Sequence, residues 1–471
     1  MKKIIFTLLI AIGIILFGCT KKEYMVPPVG EQVPTKDSVN MTLTEYLNQS
    51  GYKLFTKAWK KNKMDSFLSL EIKPNTPLTI LIPSDDALQN VGWDANKIDL
   101  AEAAELDSLV KQFVFFEAIS PQNLLDRPDN YSANNIMAYK NLFRYKNFDI
   151  DLSGFYYNPI PGPGEGYIPY HFKIYLKRES EQTFINGISM GGAKPILVKN
   201  AVLWPINKVF ERPTKTAISI IKERPEFGLY LQTVNYTDSL YREMFKSANG
   251  YYAPLPHFFE FNPASINYRD FVESYRMGYA KKIKTTIGFV EPTSFPVIDV
   301  ANTWFIPTNQ AFYDAGFKSL DDIIAFNKKR GEPKIIWNAL GFYQVKGEFA
   351  TDTLLNYHQD WGKMYSKKRI SDGQPGDPNV TVFFSNDLRQ ELIGNFTING
   401  YNSDIFNPDE VDLMYYMPFV FENKPGSVID VKLKNNSQQA PATVTIKDLY
   451  SLNGVIHGVN KLLLPSGFKL N

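Results

Sequence analysis

The chain has 471 residues, 51 basic against 49 acidic side chains for a formal net charge of +2, and one cysteine. So even a balance gives no bulk attraction to nucleic acid or to an anionic surface, and a single cysteine excludes a disulfide framework and a thiolate metal cluster. The length asks for two domains or more, and an aromatic content of 14% is high enough that rings should stand at the surface as well as in the core.

The first element is an N-terminal signal. Lys2 and Lys3 precede an apolar run from Ile4 to Phe17 that ends in Leu16-Phe17-Gly18-Cys19. The run is shorter than the roughly 18 residues a membrane-spanning helix needs. A small residue before a cysteine is the pattern of a lipid-attachment box. Residues 1–18 are therefore expected to be removed, and Cys19 to carry a thioether-linked diacylglyceryl group plus an amide-linked chain. Two such anchors hold a protein stably on a membrane. Loss of Lys2 and Lys3 leaves 49 basic against 49 acidic groups, a neutral mature protein. Residues 19–40 are polar, carry prolines and show no apolar period, so they read as a tether.

Two blocks then recur in the same order. Ile82-Pro83-Ser84-Asp85-Asp86-Ala87-Leu88, closed by Gly92, returns as Ile306-Pro307-Thr308-Asn309-Gln310-Ala311-Phe312, closed by Gly316. In each, a β-rich run (Leu78 to Ile82; Trp304 to Ile306) meets a proline, which has no N–H to give a ladder. A hydroxyl residue follows that can cap a short helix carrying Ala87 and Leu88, or Ala311 and Phe312, on its inner face. The second block, Asn200-Ala201-Val202-Leu203-Trp204-Pro205-Ile206-Asn207-Lys208-Val209-Phe210, aligns without gaps to Asn453-Gly454-Val455-Ile456-His457-Gly458-Val459-Asn460-Lys461-Leu462-Leu463. Asn453-Gly454 suits a type I′ turn joining Thr443–Tyr450 to Val455–Leu464 as a hairpin. With Ala201 in place of the glycine, the first copy's turn is expected to be of another type, or longer.

These blocks resemble the two signature motifs of the fasciclin-domain family, over nearly the whole span from Thr42 to Pro465. The resemblance implies an α+β fold: two tandem fasciclin-type β-sandwich domains, 41–212 and 213–471, with short flanking helices and inserted loops and a boundary near Arg212-Pro213-Thr214. It also implies amphipathic helices at Leu106–Phe116 and Ile335–Tyr343, leading into the family's Tyr-His pair. That pair is Phe116-Glu117 in the first copy and Tyr343-Gln344 in the second, so integrin-type recognition is not implied. Trp204 replaces the motif histidine that His457 keeps, and a histidine beside a hairpin is expected to be a buried core residue using one nitrogen as donor and one as acceptor. The family's typical role is extracellular adhesion or matrix binding. With the tether, the chain resembles surface-exposed outer-membrane lipoproteins of Bacteroidetes-type bacteria, some of which accompany Sus-type nutrient-uptake complexes. The partners implied are a Sus-type outer-membrane protein or a surface glycan or peptide.

Three segments exceed a minimal domain of this kind: Asp126 to Gln182, Lys246 to Phe295 and Tyr365 to Gln439. The first contains the stretch Tyr156 to Tyr170, whose proline and glycine punctuation excludes regular helix or central strand. Tyr156, Tyr157, Tyr167, Tyr170, Tyr251, Tyr252, Tyr415 and Tyr416 are candidate binding residues, because tyrosine offers apolar area with a hydroxyl at its tip. The other reading is that these segments only cover sheet edges. His171, His257, His358 and His457 show no metal-ligand spacing, and there is no nucleophile elbow, phosphate loop or dinucleotide glycine pattern. Asp85-Asp86, Asp321-Asp322 and Asp409-Glu410-Asp412 read as helix starts and exposed turns, and Asp372 to Asp377 lacks the closing glutamate of a calcium loop. The expectation is a non-enzymatic binding or assembly protein with no cofactor, no metal and no nucleic-acid partner. A glycan hydrolase using loop carboxylates is the alternative from a different class.

Overall fold

The computed structural model describes residues 38–71, 76, 78–115, 119, 136–144, 150–151, 167–168, 171–179, 182–215, 217–248, 302–337, 343–359, 382–395, 397–400, 413–452 and 454–470. Cys19, Tyr156, Tyr157, Tyr170, Tyr251 and Tyr252 lie outside these residues, as do Asp372 to Asp377 and Asp409-Glu410-Asp412. Helices and sheets alternate along the chain in an α+β arrangement.

The first copy opens with helices Leu43–Gln49, Lys53–Lys61 and Met64–Glu71, followed by β1 (Thr79–Pro83). Helices Asp85–Asn90, Ala95–Leu100 and Ala103–Lys111 lead to β2 (Val114–Phe115), β3 (Ile136–Arg144), β4 (Ile150–Asp151), β5 (Tyr167–Ile168), β6 (His171–Glu179), β7 (Gln182–Ile185), β8 (Ile188–Ser189), β9 (Ile196–Val198) and β10 (Ala201–Ile206). The main sheet runs β8-β7-β6-β3-β2-β1-β10-β9. Every residue of β1 is buried, because the strand lies between β2 and β10 with both faces covered; hence the apolar run Ile80-Leu81-Ile82 after Thr79. Phe55, Trp59, Phe113, Trp204 and Phe210 fill the core around it.

The second copy repeats the plan. Helices Ala217–Lys222 and Gly228–Ala248 precede β11 (Asn302–Pro307), helices Asn309–Asp314 and Leu320–Lys328, β12 (Lys334–Trp337), β13 (Tyr343–Lys346) and helix Ala350–Gln359. Then come β14 (Thr397–Gly400), β15 (Leu413–Tyr416), β16 (Phe419–Lys424), β17 (Val428–Leu433), β18 (Ala442–Ser451) and β19 (Gly454–Val459). Its main sheet runs β11-β19-β18-β17-β16. No described helix is long and apolar enough to cross a membrane.

The sequence repeat is also a repeat of register. β1 pairs in parallel with β10 from Thr79↔Val202 to Pro83↔Ile206, and β11 with β19 through Thr303↔Val455 to Pro307↔Val459. These are the same aligned positions of the two blocks. The preceding turns match as well: Val198 opposes Ala201 and Ser451 opposes Gly454. Asn453, on which the expected Asn453-Gly454 turn falls, lies outside the described residues; Gly454 opens the strand at φ 134°. The strand ends at Val459, short of Leu464. The first copy's turn, Lys199-Asn200, has the same length rather than a greater one, and neither residue takes the positive φ of a type I′ turn. Lys199 N–H donates to Met41 O and Leu452 N–H to Lys215 O, both at 2.9 Å, so the same contact ties the opening residue of each copy to its turn.

Three expectations are corrected. The helix read over Leu106–Phe116 stops at Lys111, and Val114 and Phe115 form β2 against Ile80 and Thr79. The described residues of Ile335–Tyr343 are strand, not helix: Gly331 at φ 82° and Pro333 end the preceding helix, and the apolar Ile335-Ile336-Trp337 run pairs as β12 with β13. The segments Asp126 to Gln182 and Tyr365 to Gln439 are not mere additions, since they supply β3, β6, β16 and β17 to the main sheets. Met417 and Phe419, just beyond Tyr415 and Tyr416, are 1% and 0% exposed core residues.

The two helix caps differ. Ser84 Oγ accepts from Ala87 N–H at 3.1 Å, whereas Thr308 occupies the cap position without a side-chain bond. Ser84→Ala should cost about 1 kcal/mol, and Thr308→Ala no more than about 0.5 kcal/mol. Parallel denaturant titrations check this, and equal losses would contradict it.

Candidate functional site

The polar residues of the repeated blocks converge on backbone groups. In the first copy, Ile119 N–H donates to Thr79 Oγ1 at 2.7 Å, while Trp204 Nε1–H donates to Ile119 O at 2.7 Å. In the second, Phe383 N–H donates to Thr303 Oγ1 at 2.7 Å and His457 Nε2–H donates to Phe383 O at 2.9 Å. Both backbone groups of one residue are thus clamped, at equivalent places, by a threonine on the first block and a ring N–H on the second. Trp204 and His457 are interchangeable here because each presents an N–H donor.

Asp85 and Asn309 are also equivalent, and each caps a helix other than its own. Asp85 Oδ1 accepts from Leu54 N–H at 2.9 Å, and Asn309 Oδ1 from Leu229 N–H at 2.9 Å. Leu54 and Leu229 are the second residues of their helices, where N–H groups have no intrahelical acceptor. Asn200 Oδ1 accepts from Leu43 N–H at 2.8 Å, and Asn460 Oδ1 from Thr443 N–H at 2.7 Å. Asp322 closes a capping box with Ser319, as a helix-start acid should.

Two histidines are fully buried and both use both nitrogens. His457 donates from Nε2 as above and accepts the Asp448 N–H at Nδ1, 3.4 Å away. Burial pushes its imidazole below the ordinary value, against the opposing pull of Asp448. His358 Nδ1–H donates to Phe305 O at 2.6 Å and Nε2 accepts from Leu463 N–H at 2.9 Å. Phe305 is the counterpart of Leu81, whose N–H donates to Phe113 O beside β2. Among the described residues β11 has no strand on that edge, and the His358 ring supplies a donor there instead. Ser385, Asp448 and His457 lie together without forming a relay. The Asp448 carboxylate takes the Ser385 N–H at 2.7 Å and the Ser385 hydroxyl, and only its backbone N–H meets the ring.

A second constellation joins the copies. Ile174 and Leu176 of β6 enter the first core, and the strand's period of two turns Tyr175, Lys177 and Glu179 the other way. Tyr175 packs on Phe384 and Tyr450, with ring centroids 6.0 and 6.3 Å apart, inside the second copy's core cluster. Lys177 Nζ donates to Asp387 Oδ1, their side chains 5% and 3% exposed, and stands 3.3 Å from Glu179 Oε2. Arg389 Nη2 donates to both Glu179 oxygens at 2.6 Å. Charges therefore alternate Asp387, Lys177, Glu179, Arg389 across the contact. Burial pushes the Asp387 carboxyl up against the pull of Lys177. Burial also pushes Glu179 up, but Arg389 and Lys177 outweigh it and hold that carboxyl below its usual range. The Asn186-Gly187 turn presses on Phe384: a Cβ on Gly187 would stand 2.5 Å from the Phe384 Cβ, so only glycine allows the approach.

This junction was not singled out from sequence, although the alternation in Ile174-Tyr175-Leu176-Lys177-Arg178-Glu179 carries a signal of a strand with two occupied faces. Of the tyrosines proposed from sequence, Tyr167 opens β5 opposite Asp151, and Tyr415 and Tyr416 lie in β15 opposite Ile398 and Thr397. Only their backbone pairing is described; the other five lie outside the described residues. Among the described residues, no three of His, Cys, Asp or Glu gather as metal ligands.

The geometry defines a class: a duplicated α+β module whose signature polar residues serve the backbone. No family model matches the chain, and no curated protein matches it. Among solved structures it is similar to a FAS1 domain pair from the insect cell adhesion molecule fasciclin I, at 11% identity and a TM-score of 0.23, covering 89% of this chain and 99% of that one. A superposition at that score adds nothing to the register equivalences within the chain, on which the class stands.

Proposed function

We propose that the chain is a non-catalytic binding and assembly module: two tandem fasciclin-type sandwich domains, 41–212 and 213–471, held to the outer membrane through a lipid on Cys19. The observation that carries this reading is the commitment of the repeated polar residues to backbone groups. A histidine such as His457, with one nitrogen donating to a carbonyl and the other accepting an N–H, is held as a strut and is not poised to shuttle a proton. Contact is assigned to the tyrosines of the Tyr156 to Tyr170 stretch, and the partner to a Sus-type outer-membrane protein or a surface glycan or peptide; the sequence resemblance and the tether support both assignments.

A crosslinked pull-down from native membranes tests the reading with three proteins. Wild type should fractionate with membranes and recover an outer-membrane partner. Cys19→Ser should fold but leave the membrane fraction. Replacing Tyr156, Tyr157, Tyr167 and Tyr170 by alanine should keep the anchor and weaken partner binding by about 2 kcal/mol or more. Membrane retention of Cys19→Ser, with no fatty-acid labelling of wild type, would overturn the anchor. Turnover of any glycan in a broad panel would overturn the non-catalytic assignment.

A further inference from the structure

Segment 383–389 is held from two sides. The second copy grips it at Phe383, through Thr303 and His457, and at Ser385, through Asp448. The first copy grips it at Asp387 and Arg389, through Lys177 and Glu179. His457 and Asp448 are linked in turn, and Asp448 sits at φ 56° within the irregular stretch of β18 between Ile446 and Leu449. A non-glycine residue in that left-handed region is strained and persists only while its contacts hold it.

We propose that His457 is an acid-sensitive latch: a second proton on its ring releases segment 383–389, and with it the contact between the two copies. The chemistry is local. Nδ1 accepts the Asp448 N–H, so protonating Nδ1 sets donor against donor beside a strained residue. The new cation also draws the Asp448 carboxylate, which now holds the Ser385 N–H and hydroxyl. The charged and titratable groups around the ring are Asp448 and Lys447 on β18, His358 bonded to the Phe305 carbonyl, and Asp387 with Lys177 at the junction. Phe305 stacks on the ring at 5.7 Å and keeps water from it.

The sign follows from linkage. The latched state disfavours the imidazolium, so its stability is complete above the free-histidine pKa of about 6.5 and falls as pH drops below it, by up to about tenfold per pH unit. Asp387, raised by burial, takes up its proton more readily in the latched state and works in the opposite sense. Any remaining pH response after His457 is replaced should therefore run the other way.

The test compares the mature protein in detergent at about pH 7.5 and about pH 5.5, which spans the ordinary histidine range. Hydrogen exchange at the Phe383, Ser385 and Asp448 amides, corrected for intrinsic rates, should accelerate by up to about tenfold over the unit below pH 6.5, and the radius from small-angle scattering should grow. His457→Gln, whose amide offers one donor and one acceptor, should lose both responses. A pH-independent wild type, or an unchanged response in His457→Gln, overturns the latch. Should that variant not fold, ring-proton NMR of wild type decides: separation of the copies while the His457 ring stays neutral overturns it equally.

Discussion

Replacing Lys177 by methionine is expected to cost about 3–5 kcal/mol of stability, because it leaves the Asp387 carboxylate buried without its cation. The loss should be far larger than for an exposed pair such as Lys215–Glu223, whose side chains are 51% and 56% exposed. Removing both members, as Lys177→Met with Asp387→Leu, should restore most of the loss, since the desolvation cost of two charges disappears with their attraction. Phe384 N–H then loses its acceptor in Asp387, which keeps the double variant somewhat below wild type. Denaturant titration of the four proteins of this cycle gives the coupling directly. A single-variant loss no greater than that of Lys215→Met would remove the junction from any role in holding the copies together.

The junction also shows where sequence reasoning stops. The repeated blocks were legible because each packs several local rules together: a proline ending β1 and β11, a hydroxyl at the helix start, and an apolar strand buried on both faces. Their parallel pairing with each other was not legible, but the structure keeps the aligned register in both copies. The partners of their polar residues were not legible. Asp85 serves a helix that begins at Lys53, and Thr303 and His457 meet at a residue far from both in sequence. β6 was lost to its neighbourhood: the glycine-proline stretch Tyr156 to Tyr170 dominated the reading of the whole segment, while the Lys177 and Glu179 charges hid a strand buried on both faces. Likewise Ile335-Ile336-Trp337 can satisfy either period over so short a run, and the pairing with β13 decided it.

His457→Ala should be the most damaging change within the second copy. It leaves the buried Phe383 O without its donor, worth about 1–3 kcal/mol, and removes the acceptor of the N–H of exposed Asp448, which costs less. It also opens a cavity against Phe305, so the total is expected at about 3–5 kcal/mol. Thr303→Val, which matches the shape and removes the acceptor of Phe383 N–H, should cost about 1–3 kcal/mol. Because both variants free the same residue, the double variant should lose less than the sum. Trp204→Phe makes the parallel test in the first copy, where Ile119 O loses its donor and the ring volume is largely kept, so its cost should resemble that of Thr303→Val. Thermal and denaturant unfolding of the set, followed by two probes, measures all four. Losses below about 1 kcal/mol for His457→Ala would mean that Phe383 finds another partner, and the duplicated clamp would then be a coincidence of geometry rather than the reason a ring N–H recurs at this position.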